Sequence, residues 1–129
     1  MSKQIKYIAE VPGAPKAVGA YSPAVIAGEM FFISGQIAIN SETGKIEVSD
    51  VKGQAEQVMK NLETLLKGIG CNFNSVAKTT ILLANIGDFA VINEVYARWL
   101  GDAKPARATF AVAGLPMGAL VEVEMCGVV

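Results

Sequence analysis

Met30-Phe31-Phe32-Ile33-Ser34-Gly35-Gln36-Ile37-Ala38-Ile39 is the stretch on which the fold turns. Its aromatic and β-branched residues read as a strand, closed by the polar turn Asn40-Ser41-Glu42-Thr43-Gly44. Side chains of a strand alternate between faces, so Phe31, Ile33, Ile37 and Ile39 share one side, and Met30, Phe32 and Ala38 the other. Both sides are apolar. A sheet built around such a strand has to cover both faces, because wet apolar surface forfeits about 25 cal/mol per Å2.

Downstream the period changes. Val51, Ala55, Val58, Met59, Leu62, Leu65, Leu66 and Ile69 recur at steps of three and four, the mark of one buried helix face between Asp50 and Ile69. Ser49 or Asp50 supplies its N-cap and Gly70 its stop. Upstream, Lys3 to Ala9 reads as a first strand and Ala24 to Ala27 as a second, with Gly28-Glu29 as a turn. Val18-Gly19-Ala20-Tyr21-Ser22-Pro23 between them is a loop, punctuated by Gly and Pro. Val76 to Ala84 is a fourth strand. Asp88 is expected to cap a second helix whose buried stripe is Phe89, Ile92, Tyr96, Trp99 and Leu100. Ala106 to Ala113 and Ala119 to Val128 complete the set.

The order is β-β-β-α-β-α-β-β, an α+β domain over residues 1–129 with both helices on one face of a single sheet. Two helices cover one face only. The other must pack on something else, most simply a second copy of the chain.

Composition narrows the chemistry. Of 129 residues 52% are hydrophobic and 18% charged, which suits a packed core and excludes disorder. The net charge of -1 provides no basic field for nucleic acid. No apolar run reaches the ~18 residues of a membrane span, and Met1-Ser2-Lys3-Gln4-Ile5 begins no signal peptide. A cytoplasmic location is expected, with Cys71 and Cys126 as small core thiols and a bridge between them as the rarer alternative. The chain has no histidine. Ser-His-Asp and Cys-His catalysis are therefore excluded, and proton transfer falls to Glu, Asp, Lys, Tyr or Cys. The glycines form no GxGxxG or P-loop, and no carboxylate cluster resembles a metal site.

From Arg107 to Val129 only Arg107, Glu122 and Glu124 are charged, in strands otherwise built from apolar residues. Arginine presents a planar fork that can hold a carboxylate through two hydrogen bonds. Glu122 and Glu124, two apart, point to the side opposite Val121, Val123 and Met125. Either they pair with Arg107 as a structural bridge or they line a polar cleft. Ser34-Gly35 is either a bulge or a close backbone approach to a ligand. Tyr21 is a loop anchor or a pocket wall, and Asn93, at the edge of the helical stripe, caps a loop or touches a ligand. Lys78 is a candidate base or an edge-strand lysine that keeps the sheet soluble.

Five segments come in the order and spacing of one family: Val18-Gly19-Ala20-Tyr21-Ser22, Ile33-Ser34-Gly35-Gln36-Ile37, Asp88-Phe89-Ala90-Val91-Ile92-Asn93, Pro105-Ala106-Arg107-Ala108-Thr109 and Val121-Glu122-Val123-Glu124. From about Ile5 to Val128 the chain resembles the Rid family, the YjgF-like reactive intermediate deaminases. The resemblance implies a chorismate-mutase-like fold and a homotrimer with clefts between subunits. It also implies cofactor-free and metal-free hydrolysis of 2-imino acids, such as 2-iminobutanoate and 2-iminopropanoate, to 2-oxo acids and ammonia. By match, Arg107 would hold the substrate carboxylate and the Thr109 N–H would add a donor. Glu122 would activate the water, and Tyr21, Ser34, Gly35 and Asn93 would line the cleft. Where this chain has Thr109 many members have Cys. Ala38 stands for a common proline, and Met125-Cys126 for smaller residues, so pocket size is expected to differ. The rival readings are a non-catalytic trimer that captures metabolite carboxylates and an RNA-cleaving inhibitor of translation. The acid-leaning charge argues against the latter.

Overall fold

The structure is a computed structural model that describes residues 4–129; Met1, Ser2 and Lys3, the last of them in the expected first strand, lie outside the described residues. β1 (Ile5–Ile8), β2 (Ala24–Ala27) and β3 (Met30–Gln36) form an antiparallel meander. The two-residue strands β4 (Ile39–Asn40) and β5 (Lys45–Ile46) make a small separate hairpin before helix α1 (Val51–Gly68). After it come β6 (Val76–Leu83), helix α2 (Phe89–Leu100), β7 (Ala106–Ala111) and β8 (Val121–Val128). The main sheet runs β1-β2-β3-β8-β6-β7, antiparallel except for β6 and β7. Their parallel pairing follows from α2, the crossover that a parallel connection needs. Apart from the small hairpin, this is the expected α+β order.

Local chemistry accounts for the boundaries. Asp50 accepts a hydrogen bond from the Gly53 N–H and so caps α1. Gly70, at φ 77°, carries the chain out of its C-terminus. Asp88 precedes α2 but makes no side-chain cap bond; Asn85 instead caps a short 3-10 turn, Ile86–Asp88, that feeds the helix. In α2 Ile92, Val95, Tyr96 and Leu100 are buried, while Phe89 and Trp99 are half-buried. β3 ends three residues earlier than expected because its register against β8 shifts between Ile33 and Gln36. The shift brings Ala38 into the core rather than onto the far face.

One face of the sheet meets the helices. Phe31, Ile33, Ile81, Val121, Val123 and Met125 point there and pack on Val58, Met59, Leu62, Leu65 and Leu66 of α1. The helices are tied at their junction: Trp99 Nε1 donates to Glu56 Oε1 at 2.7 Å, and Arg98 pairs with the same carboxylate. The opposite face is open. A row of partners, Tyr7-Val25-Phe32-Cys126-Lys78, crosses it, with Tyr7 70% and Phe32 47% exposed. Lys78 thus belongs to an interior strand of the open face, not to an edge. Both cysteines are free; Cys71 is buried, whereas Cys126 is half-buried on this open face rather than in the core.

Gly127 illustrates how closely the covered side is packed. A methyl group there would overlap the Ser75 carbonyl and crowd the Phe31 ring. Gly127→Ala is expected to cost about 1–3 kcal/mol, whereas Gly114→Ala, which meets nothing within 4 Å, should stay within about 0.5 kcal/mol. Urea midpoints of the two variants check this.

Candidate functional site

The expected site residues fall into two groups on different faces of the sheet. The first lies where β3 and β8 run side by side. The period of β8 buries Val121, Val123 and Met125 and turns Glu122 and Glu124 to the open face. Opposite Glu122, the irregular step in β3 places Gly35. A side chain at position 35 would collide with the Glu122 carboxylate, so the missing Cβ is what lets that carboxylate lie against the strand. Ser34-Gly35 is therefore both a bulge and a close approach, and what approaches is the protein's own glutamate.

This carboxylate borders a cleft of about 510 Å3 that also takes in Tyr21, Ser34, Gly35 and Glu124. Burial pushes the Glu122 pKa up, and the neighbouring charge of Glu124 pushes it further in the same direction. The loop carrying Tyr21 is pinned to β3: Ser34 Oγ donates to the Ser22 carbonyl at 2.6 Å, and the Ser34 N–H donates to Pro23 O at 3.0 Å. The Tyr21 hydroxyl accepts from the Val18 N–H at 3.3 Å. The Ser34 proton is thus already engaged, which leaves its oxygen free only to accept.

The second group lies on the helix side, at the edge strand β7. Arg107 pairs across the sheet with Thr79, which faces α2 and shares a 2.8 Å hydrogen bond with the Tyr96 hydroxyl. Arg107 therefore lies along α2. Its Nη1 donates to Asn93 Oδ1 at 2.7 Å, and its guanidinium carbon lies 5.1 Å from the Tyr96 ring centre and 5.5 Å from that of Phe89. Such cation–π contacts hold the guanidinium plane while its outer N–H groups remain free to bind. Burial raises the Tyr96 pKa, so the phenol stays neutral next to the cation. Arg107, Asn93 and Lys104 border a second cleft of about 390 Å3. Thr109 lies two residues along β7 on the same face; its hydroxyl is buried and has no hydrogen-bond partner.

Within one chain, then, Arg107 and Glu122 do not meet. The ion pairs among the described residues are Lys67–Glu63 and Arg98–Glu56, so an Arg107 bridge to Glu122 or Glu124 within the chain is ruled out. Ala38 and Met125, whose identities were expected to alter the pocket, are core residues and border neither cleft. Two sets of neighbours went unread. Phe89 and Tyr96 flank Asn93 at helical spacing, a signal present in the sequence. Met117, in the 3-10 turn Pro116–Gly118, borders the acidic cleft with a left-handed φ of 57°. Flanking Pro and Gly hinted at a turn there but not at that strain. No group of three His, Cys, Asp or Glu among the described residues could hold a metal ion, and no helix is long and apolar enough to cross a membrane.

Comparison with known proteins places the chain in a family. The family model described as Endoribonuclease L-PSP matches residues 12–129. A 2-iminobutanoate/2-iminopropanoate deaminase from Rattus norvegicus is 41% identical over 128 residues, covering 99% of this chain and 93% of the rat protein. The crystal structure of RidA from an Antarctic Psychrobacter superposes with a TM-score of 0.90 at 39% identity, over 96% of this chain and 100% of that one. Escherichia coli TdcF, solved with bound serine, gives 0.90 at 35% identity, over 96% and 99%. A match of this extent in both sequence and fold means that the chain belongs to the Endoribonuclease L-PSP family, the YjgF/Rid proteins.

Proposed function

We propose that this protein hydrolyses reactive 2-imino acids to 2-oxo acids and ammonia, in clefts that form between copies of the chain in a homotrimer. The observation that carries this reading is the Glu122 carboxylate, seated on Gly35 at the wall of an open cleft with its pKa raised. A raised carboxylate is a better proton acceptor than a free one, and that is what a water-activating base requires. The naming of the rat relative as an imine deaminase, and the amino acid bound to TdcF, are in keeping with a substrate that carries a carboxylate.

The two half-sites are complementary. One carries Glu122 and Glu124, the other Arg107 and Lys104. Joining unlike patches gives a heterologous interface, the kind from which a ring such as a trimer is built. The exposed apolar residues of the open face, Tyr7, Phe32 and Phe110, supply surface for that contact. In the assembled cleft Arg107 would take the substrate carboxylate in its fork, and the Thr109 N–H would add a donor. Glu122 removes a proton from water as the water oxygen bonds to the carbon of the protonated imine, which gives a neutral carbinolamine. It returns the proton to nitrogen. The C–N bond then breaks as the hydroxyl becomes a carbonyl, and the hydroxyl proton passes to the released ammonia. Tyr21, Ser34, Gly35 and Asn93 shape the cleft. No metal or cofactor enters this scheme. RNA cleavage is the weaker reading, because a phosphate backbone entering the acidic cleft would meet two carboxylates.

In a coupled assay with a dehydratase that releases 2-iminobutanoate, the protein should speed formation of 2-oxobutanoate; no acceleration would overturn the assignment. Arg107→Ala should lower kcat/KM by roughly a hundredfold or more, and Glu122→Gln should lower kcat with less effect on KM. Glu122 works only when ionised, so activity should fall as the pH drops through a midpoint above the usual carboxylate range. Removing the like charge with Glu124→Gln should move that midpoint down, as a pH–rate profile would show. Phe32→Asp should dissociate the oligomer, which sedimentation would detect.

A further inference from the structure

Helix α1 carries two amides within its buried stripe, Gln54 and Asn61. They are seven residues apart, hence on one face, and are only 4% and 2% exposed. A buried amide is costly unless its donors and acceptor are matched. Here they are. Asn61 Nδ2 donates to the carbonyls of Ile37 at 3.3 Å and Ile39 at 2.9 Å, and its Oδ1 accepts from Gln57 Nε2 at 2.8 Å. Gln54 Nε2 donates to Val48 O at 2.9 Å, and its Oε1 accepts from the Leu120 N–H, also at 2.9 Å.

The destinations of these bonds matter more than their number. Ile37 lies between β3 and β4, and Leu120 between the Pro116–Gly118 turn and β8. These are irregular segments, whose backbone groups lack a regular sheet ladder to satisfy them. They also carry the two sides of the acidic cleft: Ile37 and Ile39 line one, Met117 and Glu122 the other. Leu120 is two residues from Glu122. A helix that served only to cover the sheet would place leucine at positions 54 and 61, as it does at 62, 65 and 66.

We infer that Gln54 and Asn61 are positioning residues for the acidic cleft, holding its two irregular walls from the helix side of the sheet so that Glu122 keeps its place over Gly35. The inference rests on the reading of Glu122 as the base. Neither amide touches the substrate. Both act through backbone, and a carboxylate displaced by even 1 Å from the attacking water loses much of its effect. Arg107 hangs from α2 and β7, so carboxylate binding is left out of the linkage.

The test uses the near-isosteric variants Gln54→Met and Asn61→Leu. Leu65→Ala serves as a control, since it opens a cavity in the same helix and has no bond to the cleft walls. Two readouts are taken: steady-state kinetics on 2-iminobutanoate, and the titration midpoint of Glu122 followed by carbon NMR of its carboxyl group. Both amide variants should lower kcat roughly tenfold with KM within about twofold. In both, the Glu122 midpoint should move down toward that of a free carboxylate. Leu65→Ala should lose stability yet keep the wild-type midpoint and kcat. A Glu122 midpoint that stays in place in either folded variant, or that moves equally in Leu65→Ala, would overturn the inference. Should Asn61→Leu fail to fold, Gln54→Met alone decides. If the wild-type protein hydrolyses no imine, the proposed reaction fails, but the NMR titration still decides the positioning role.

Discussion

The governing constraint in this molecule is the one-sided cover of a six-stranded sheet. Two helices pack on one face, and their apolar stripes are fully used in doing so. Everything placed on the other face is left to interact with something beyond the chain. The same asymmetry sorts the charged groups. Residues of β8 with even numbers face outward, which puts Glu122 and Glu124 there; Arg107 of β7 falls on the helical side. β6 separates the two strands, and their parity sets the carboxylate and the guanidinium on opposite faces, so no bridge forms between them within the chain.

Each group then acquires its properties from its own surroundings. Glu122 is partly buried against Gly35 and has a like charge nearby, and the burial first and the charge second favour its protonated form. Arg107 has two aromatic rings and an amide oxygen around it, a setting that fixes the guanidinium plane without neutralising it. The first is prepared to exchange a proton and the second to hold an anion. Preorganisation of this kind reduces the ordering cost at the moment of binding.

Much of this is legible in the sequence alone. Period two from Val121 to Val128 put both glutamates on one side, and the three- and four-residue steps from Val51 to Ile69 located α1 within a residue or two. The doubly apolar strand at Met30 announced an uncovered face. What escaped was everything set by contacts distant in sequence. Strand alternation assigned Ala38 to the outer face, but the shift at Ser34-Gly35 moved it inward. Alternation also could not show that Arg107 would rest on Tyr96, because the parallel pairing of β6 and β7 decides that register. Nothing in the sequence singles out Asn61 and Gln54, since their partners are backbone carbonyls and an N–H that no side-chain pattern reports. Asp88 had the right residue type for a cap, yet the preceding 3-10 turn took over that task.

The bond between Trp99 and Glu56 has a practical consequence. Trp99 is the sole tryptophan of the sequence, and its indole is tied to the other helix at 2.7 Å while the ring is half-buried at the seam. The tryptophan emission of this protein, excited apart from its three tyrosines, therefore has a single, well-defined origin: the docking of α2 on α1. Separation of the helices releases the indole into water and shifts its spectrum. Fraying of β1 at the far edge of the sheet does not, so fluorescence and amide exchange would follow different parts of the same unfolding reaction.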